Sequence, residues 1–571
     1  MIVVMIVVTM PVTLSAAMLC GEGLIAQSTN MPAATTIRFT DVTAQSGISC
    51  TPTSGATPSS QILEVKGGGL ALIDFDGDAD LDLFVPNGAT LADPEHGPGA
   101  RLYRNDGAMR FTDVTAASGI DHRRWSFGAT VGDVDADGHD DIFIACFGPD
   151  VLLRNRGDGT FEDITTRAGL GDPRWATSAA FADLDADGDL DLYTCNYVEF
   201  DPAKPLPPAR FKGIEVIGGP KGYRGGVDAL FENRGNGTFV DRSVDGGITS
   251  VAPGFGLNLA ILDFNGDGRP DIFVGNDSQA NNLFRNASTP GALQFVDDGL
   301  RSGIAVNGEG SEQATMGVAV ADIDGNGRPD VFTTNFSSDT NTLHLNLDGR
   351  SFDDRTNQFG LGAPSRQLVG WAAGFFDFDH DADEDLLVVN GHVYPQATKS
   401  TMDSEYAQRP LLMERRGARF APLTEAGHWK LDPHVDRSAV FADFDRDGDV
   451  DIIIAGLNEP LRVIRNDHDA SDDWIIVAPR DDRPGVGNRH AIGAEIRVTC
   501  GGVVQRRWMV GGGPFQSNLA PEVHFGLGES IDESDASAAA ASVDVEVLFP
   551  DGTRVSRTAV ARGTRIEIKH P

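Results

Sequence analysis

The chain has 571 residues and a formal net charge of −38, from 84 acidic against 46 basic residues. An excess of that size excludes nucleic acid and anionic lipid surfaces as partners, because like charges repel at long range. Five cysteines in such a length exclude a disulfide-built scaffold, and their spacing matches no zinc site.

The chain opens on "MIVVMIVVTMPVTLSAAMLCGEGLIAQ", which is uncharged up to Glu22 and has no Lys or Arg before Arg38. Residues 1–26 read as a secretory signal cleaved near Ala17 or Ala26. The alternative is a retained anchor, since the apolar run approaches the roughly 20 residues a span needs. Pro11 and the small residues favour cleavage. No other segment can cross a membrane, so the mature chain is expected to be secreted or extracytoplasmic/periplasmic. Of the cysteines left after cleavage, Cys146 and Cys195 stand at nearly equivalent places in neighbouring repeats. An oxidising compartment permits a disulfide there; isolated buried thiols are the expectation.

Next comes a loop that recurs. "DFDGDADLDLFV" starts at Asp74, "DVDADGHDDIFI" at Asp133, "DLDADGDLDLYT" at Asp183 and "DFNGDGRPDIFV" at Asp263. "DIDGNGRPDVFT" starts at Asp322, "DFDHDADEDLLV" at Asp377 and "DFDRDGDVDIII" at Asp443. All seven have Asp at position 1, Asp or Asn at 3 and 5, and Asp at 9. Alternate carboxylates in a tight turn converge on one point, and a hard divalent cation converts their repulsion into attraction. Calcium is the expected ion. An EF-hand is excluded, because position 12 is Val, Ile or Thr where that motif needs a bidentate Glu. The flanks, such as "LNLAI" and "DIFVG", are short and rich in β-branched residues, so each loop joins two strands, the second starting at position 8 or 9. Pro270 and Pro329 suit a strand entry.

Upstream of each loop lies an F-x-D phrase, from "FTDVTAQSGI" at Phe39 to the degenerate "FAPLTEAGHW" at Phe420. Downstream lies a phrase ending in Asn, such as "LLRN" or "LFEN", with "LMERRGARF" as its weakest copy. First Asp residues are separated by 59, 50, 80, 59, 55 and 66 residues. This period suits a four-stranded blade. The expected fold is all-β: a seven-bladed β-propeller followed by a small all-β C-terminal domain.

These units resemble FG-GAP/VCBS repeats, the blades of integrin α-type propellers, over residues 38–468. The resemblance implies calcium at strand connections on one face, held by positions 1, 3, 5 and 9 and a backbone carbonyl at 7. The implied ligands are Asp74, Asp76, Asp78 and Asp82; Asp133, Asp135, Asp137 and Asp141; Asp183, Asp185, Asp187 and Asp191. They continue as Asp263, Asn265, Asp267 and Asp271; Asp322, Asp324, Asn326 and Asp330; Asp377, Asp379, Asp381 and Asp385; and Asp443, Asp445, Asp447 and Asp451. Up to seven ions are expected. Loops two, three and seven fit the pattern best. Loop six fits least, with His380 at position 4 and Ala382 at position 6, so that it lacks Gly altogether.

The third unit carries a long insertion, Tyr197 to Gly226, that concentrates aromatic, basic and Pro residues. Long loops are often functional, and Tyr223 and Arg224 are candidate ligand contacts. "NGHVYPQ" after loop six adds His392 and Tyr394, although a hydrogen-bonded structural histidine is the commoner outcome because no partner base stands beside it. Residues 471–571 alternate apolar and polar residues in "AEIRV" and "VDVEVLF" and read as a small β domain. This segment resembles the ASPIC/UnbV domain through "NRHAIGAEIRV", "GGG-F-S", "HFGLG" and "VLFPDG". A propeller of such repeats followed by this domain is the layout of the cartilage acidic protein-like family.

No nucleophile elbow, zincin, P-loop or dinucleotide motif occurs. The sequence therefore points to a secreted, calcium-stabilised, monomeric interaction or adhesion module whose partner is an extracellular protein or glycan. The alternative is an extracytoplasmic enzyme acting on a glycan or glycoconjugate at the propeller funnel.

Overall fold

The computed structural model describes residues 37–468, 473–528 and 543–571. The leader or anchor expected over residues 1–26 lies outside them. Among the described residues no helix is long and apolar enough to cross a membrane.

Seven four-stranded antiparallel sheets follow one another along the chain. In each, the first two strands are enclosed at all or nearly all residues. Ser126–Gly132 and Gly256–Leu262 are buried at every residue, as continuous apolar runs between two packed sheets should be. The fourth strand is the F-x-D phrase, and it keeps only its Phe inside, as in Phe111–Asp113. Each sheet packs on the next, and the seventh packs on the first through Val440, Ala442 and Phe444 against Leu70, Leu72 and Leu83. The result is a closed ring of seven sheets, the arrangement of a β-propeller.

The repeat read from the sequence is offset from the sheet by one strand. Each F-x-D phrase completes the sheet of the loop before it. Phe39–Asp41 therefore pairs with Arg462–Asn466 and completes the seventh sheet, tying the two ends of the ring together. Cys50, Cys146, Cys195 and Cys500 are all free and buried. The disulfide admitted for Cys146 and Cys195 is absent, and these are interior thiols.

Trp474–Arg480 pairs with Val523–Gly526 and Thr564–Lys569, and a second sheet runs Val503–Trp508, Glu495–Cys500, Val543–Leu548, Arg554–Val560. The two sheets enclose their own core, including Ile475, Val477, Ile496, Val545 and Phe525.

Residues 509–520 leave these sheets and plug the ring. Gly511–Gly512 adds a fifth strand to the fourth sheet. The Pro514 and Gln516 carbonyls accept from the main-chain N–H groups of Val318 (3.1 Å) and Ala129 (3.3 Å). Ser517 Oγ accepts from the Leu70 N–H (2.9 Å) and lies 2.6 Å from Ser438 Oγ. Phe515 is fully buried, edge-on to Trp371 with centroids 5.0 Å apart. Glycine is required at this approach: a Cβ on Gly69 would stand 1.6 Å from the Gln516 carbonyl oxygen.

Candidate metal loops and an axial recess

Each acidic loop connects the first and second strands of a sheet, and position 9 is the first residue of the second strand in all seven. Loop two shows how the sequence builds the turn. Asp133 at the end of the inner strand accepts the N–H groups of Asp137 (3.0 Å) and Gly138 (2.8 Å), curling the loop around its carboxylate. Gly138 has φ of 92°, which suits glycine. Asp141 accepts from the Val134 N–H (3.1 Å) with one oxygen and from the Asn155 N–H (2.8 Å) with the other.

Three carboxylate groups converge within 4.8 Å of one another in Asp74/Asp76/Asp78, Asp133/Asp135/Asp141, Asp183/Asp185/Asp187, Asp322/Asp324/Asp330 and Asp377/Asp379/Asp385. Oxygens on one calcium lie at 2.3–2.6 Å from it, so opposite ligands stand about 4.8 Å apart. In loops two, three and seven, the position-3 residues Asp135, Asp185 and Asp445 each have a buried Oδ1 with no hydrogen-bond partner. A buried carboxylate oxygen without a donor is costly unless a cation takes it. The residues present thus fit a hard divalent cation, and these loops can hold one.

Burial pushes the carboxyls of Asp133 and Asp183 up to about 7, and those of Asp82, Asp330 and Asp443 to about 8. Backbone N–H donors pull in the opposite direction. Loops two and four also meet a protein cation. Arg154 lies 2.5 Å from Asp135 Oδ2 and 2.6 Å from Asp137 Oδ2 in loop two, and Arg285 Nη1 lies 2.7 Å from Asp271 Oδ2 in loop four.

The phrase ending in Asn also has a site in this geometry. The Asn side chain donates from Nδ2 to the position-2 carbonyl of the preceding loop: Asn105 to Phe444 (2.9 Å), Asn155 to Phe75 (2.9 Å), Asn233 to Val134 (2.8 Å). Asn286, Asn346 and Asn466 do the same to Leu184, Phe264 and Phe378. In the weakest copy, Arg415 takes the role, with Nη2 donating to the Ile323 carbonyl at 2.8 Å. Each of these residues also gives its own N–H to the position-9 Asp of its sheet, as Arg415 does to Asp385 at 2.6 Å. Every loop is thereby tied to the next sheet around the ring.

Because successive strands are antiparallel, the second-to-third connections emerge on the face opposite the metal loops. A recess of about 320 Å³ opens there, lined by Tyr197, Phe211, Trp371 and Tyr394 with Lys66 and Asp277 among them. Lys66 Nζ lies 3.1 Å from Asp277 Oδ2 and 4.2 Å from the Tyr197 ring centroid, and the Tyr197 hydroxyl donates to the same carboxylate oxygen at 2.6 Å. Burial lowers the Lys66 pKa, with Asp277 opposing the shift.

Of the four ligand contacts expected from sequence, only Tyr394 lines this recess. Tyr223 packs on Phe200 with centroids 5.7 Å apart, and its hydroxyl accepts from the Leu206 N–H. Arg224 is exposed and lies outside the recess lining. The insertion reaches the recess through Phe211 and residues 217–221 instead. His392 is fully buried: Nδ1 accepts from the Tyr394 N–H at 3.0 Å, and Nε2 lies 3.3 Å from Ser337 Oγ. Burial, with Arg437 and Lys212 nearby, pushes its pKa down to about 3, so it is a neutral structural residue. Lys66 and Asp277 belong to no motif. The only sequence signal for Lys66 was a lone cation inside the apolar "ILEVKGGGL".

The ring of strand-connecting acidic loops defines a β-propeller of acidic-loop repeats closed by a C-terminal β domain. The FG-GAP-like repeat family matches residues 74–144, 133–194, 214–274 and 263–333, and the ASPIC and UnbV family matches residues 485–571. The chain is an FG-GAP repeat protein with a C-terminal ASPIC/UnbV domain. It is 26% identical to mouse cartilage acidic protein 1 over 367 residues, covering 61% of this chain and 51% of that one. With the human protein it shares 27% over 368 residues, 61% and 50% of the two chains. The chain thus spans about half the length of these curated relatives. Among solved structures it is similar to YCF48 bound to D1 peptide, at 10% identity, 76% and 98% coverage and a TM-score of 0.39. An Agrocybe aegerita lectin that recognises non-reducing terminal N-acetylglucosamine matches at 16% identity, 68% and 85% coverage and a TM-score of 0.35.

Proposed function

We propose that this protein is a secreted, calcium-stabilised propeller serving as a monomeric extracellular interaction module, with the cation mainly structural. Its parts are a removable leader over residues 1–26, the propeller over 38–468 and the β domain over 471–571. The observation that carries the cation assignment is the orphaned position-3 oxygen of loops two and three, whose carboxylates otherwise converge, with the same orphan at Asp445 in loop seven. The extracellular assignment draws support from the likeness to cartilage acidic protein 1 and from the apolar run of the leader with its small residues. The partner is an extracellular protein or glycan. The axial recess suits a glycan, since aromatic faces stack on sugar rings while Lys66 and Asp277 offer hydrogen bonds.

That recess also favours the second reading, an enzyme acting on a glycan or glycoconjugate, because Lys66, Asp277 and Tyr197 form one hydrogen-bonded group inside it. One experiment separates the two. The mature protein in calcium is incubated with a panel of extracellular glycans and matrix polypeptides, and both retention and chemical change are followed. Retention of an unchanged ligand, weakened in Tyr394→Ala, is expected. Turnover of a glycan would transfer the assignment to the enzyme, and retention insensitive to Tyr394→Ala would remove the recess from it.

A further inference from the structure

Where loop six meets the C-terminal sheets, three imidazoles and one carboxylate gather from four separate places in the chain. His380 is position 4 of loop six, and Asp449 is position 7 of loop seven. His468 follows the Arg462–Asn466 strand, and His524 lies on Val523–Gly526. The His380 ring centroid is 5.2 Å from that of His468 and 5.0 Å from that of His524. His380 Nε2 is 3.4 Å from Asp449 Oδ1, with the two side chains 2% and 3% exposed.

The His380 and His524 rings have no hydrogen-bond partner in this cluster. Both ring nitrogens of His380, both of His524 and Oδ1 of Asp449 are buried with no partner. The main chain of Gly448 faces both rings and favours their charged forms, but burial dominates and leaves them neutral. Four orphaned imidazole nitrogens in one place are costly as a structural arrangement, because each has lost its water without replacement.

The spacing matches tetrahedral ligation. With Zn–N and Zn–O bonds of about 2.0–2.1 Å, adjacent ligand atoms of a tetrahedron stand about 3.4 Å apart and adjacent imidazole centroids about 5.2 Å apart. The first is the His380–Asp449 separation, and the second is that of the ring pairs. A hydrogen bond, by contrast, would draw Nε2 and Oδ1 to about 2.8 Å. Nitrogen-rich sets of this kind select zinc-class ions over calcium, which takes oxygen.

We propose that His380, His468, His524 and Asp449 form a site for a zinc-class divalent cation, separate from the calcium loops. Such an ion bridges the sixth sheet, the seventh sheet and the C-terminal β domain. The chain is already drawn tight there: the Gly528 N–H donates to the His380 carbonyl at 2.8 Å. A Cβ on Gly526 would stand 2.0 Å from Asp377 Oδ2. Histidine at position 4 of a calcium loop, otherwise an anomaly, then has a role.

The test uses the full mature chain in excess calcium, so that the oxygen loops are filled, titrated with Zn2+ and separately with Co2+. One equivalent of Zn2+ bound with submicromolar affinity, and an intense four-coordinate visible band for Co2+, are expected. His524→Asn is expected to weaken Zn2+ by about 100-fold or more, given that loss of even an outer partner of a ligand costs 10–100-fold, with calcium content unchanged. The wild-type Co2+ spectrum decides the matter even if the variant folds poorly. Absence of Zn2+ uptake, the weak band of six-coordinate Co2+, or a His524→Asn protein that binds as tightly as wild type would overturn the site while leaving the calcium loops untouched.

Discussion

The side-chain amide of Asn155 in the second sheet donates to the main-chain carbonyl of Phe75 in the first acidic loop at 2.9 Å. The Asn155 N–H binds Asp141 of its own sheet. One residue therefore fixes two neighbouring loops. Asn155→Ala leaves the buried Phe75 carbonyl unsatisfied, and it is expected to cost about 1–3 kcal/mol. Denaturant unfolding in calcium measures it, and Arg415→Ala should cost a similar amount through Ile323.

Positions 3 and 9 of a loop should behave differently. Asp141 holds two main-chain N–H groups whether or not a cation is present, so Asp141→Ala is expected to destabilise the chelated protein by about 2–4 kcal/mol. Asp135 offers its free Oδ1 to the cation, while its Oδ2 accepts from Arg154 Nε at 2.5 Å. Asp135→Ala should cost the calcium contribution, about 1.4 kcal/mol at ~1 mM calcium and a ~0.1 mM dissociation constant, together with about 0–1 kcal/mol for the partly exposed pair with Arg154. In chelator only the share of that pair should remain. Equal losses for Asp135→Ala with and without calcium would contradict the assignment.

Protons and calcium compete for the same carboxylates. The carboxyls of Asp133 and Asp183 sit at about 7, and those of Asp82, Asp330 and Asp443 at about 8. An unfolded Asp titrates near 3.9. Between pH 6 and 8 the cation-free native state thus binds more protons than the unfolded chain, and its stability falls as pH rises. The chelated protein should melt higher at pH 6 than at pH 8. In calcium the trend should reverse, because deprotonated loops bind the ion more tightly. Thermal melting at the two pH values, with and without chelator, reads both signs.

The plug is expected to be part of the propeller core. Phe515→Ala empties a fully buried aromatic site against Trp371 and is expected to cost about 3–5 kcal/mol. Gly69→Ala should disturb the same contact from the propeller side, through the Gln516 carbonyl. Loss of stability confined to the C-terminal sheets in either variant would show that the plug is not shared.

The loops, their number and their place between strands were legible in the sequence because a two-residue period of Asp is a local signal that recurs. A strand start at position 8 or 9 was legible from the β-branched run that follows, and the structure places it at 9. The pairing of Phe39–Asp41 with Arg462–Asn466 was not, since the F-x-D phrase reads equally well with either neighbour and only ring closure decides. Arg415 was hidden by its identity: from the same backbone position a guanidinium reaches the carbonyl that Asn reaches elsewhere. The "GGGPFQSN" plug gave no sign of its target, because its hydrogen bonds, from main chain and from Ser517 and Asn518, are all long-range. Tyr223 and Arg224 were conspicuous by composition, yet the recess draws on Phe211, Lys66 and Asp277 from three distant segments. His380 stood out as an irregular loop residue, but its partners come together only through the docking of the C-terminal sheets.

The central claim is that cations hold this ring together. The direct test is the metal content of the purified mature chain, with thermal melting before and after chelation. About five to seven calcium ions per chain and a large fall in melting temperature on chelation are predicted. No bound calcium and an unchanged melting temperature would mean that the acidic loops are solvated turns, and the calcium-dependent interaction module would fall with them.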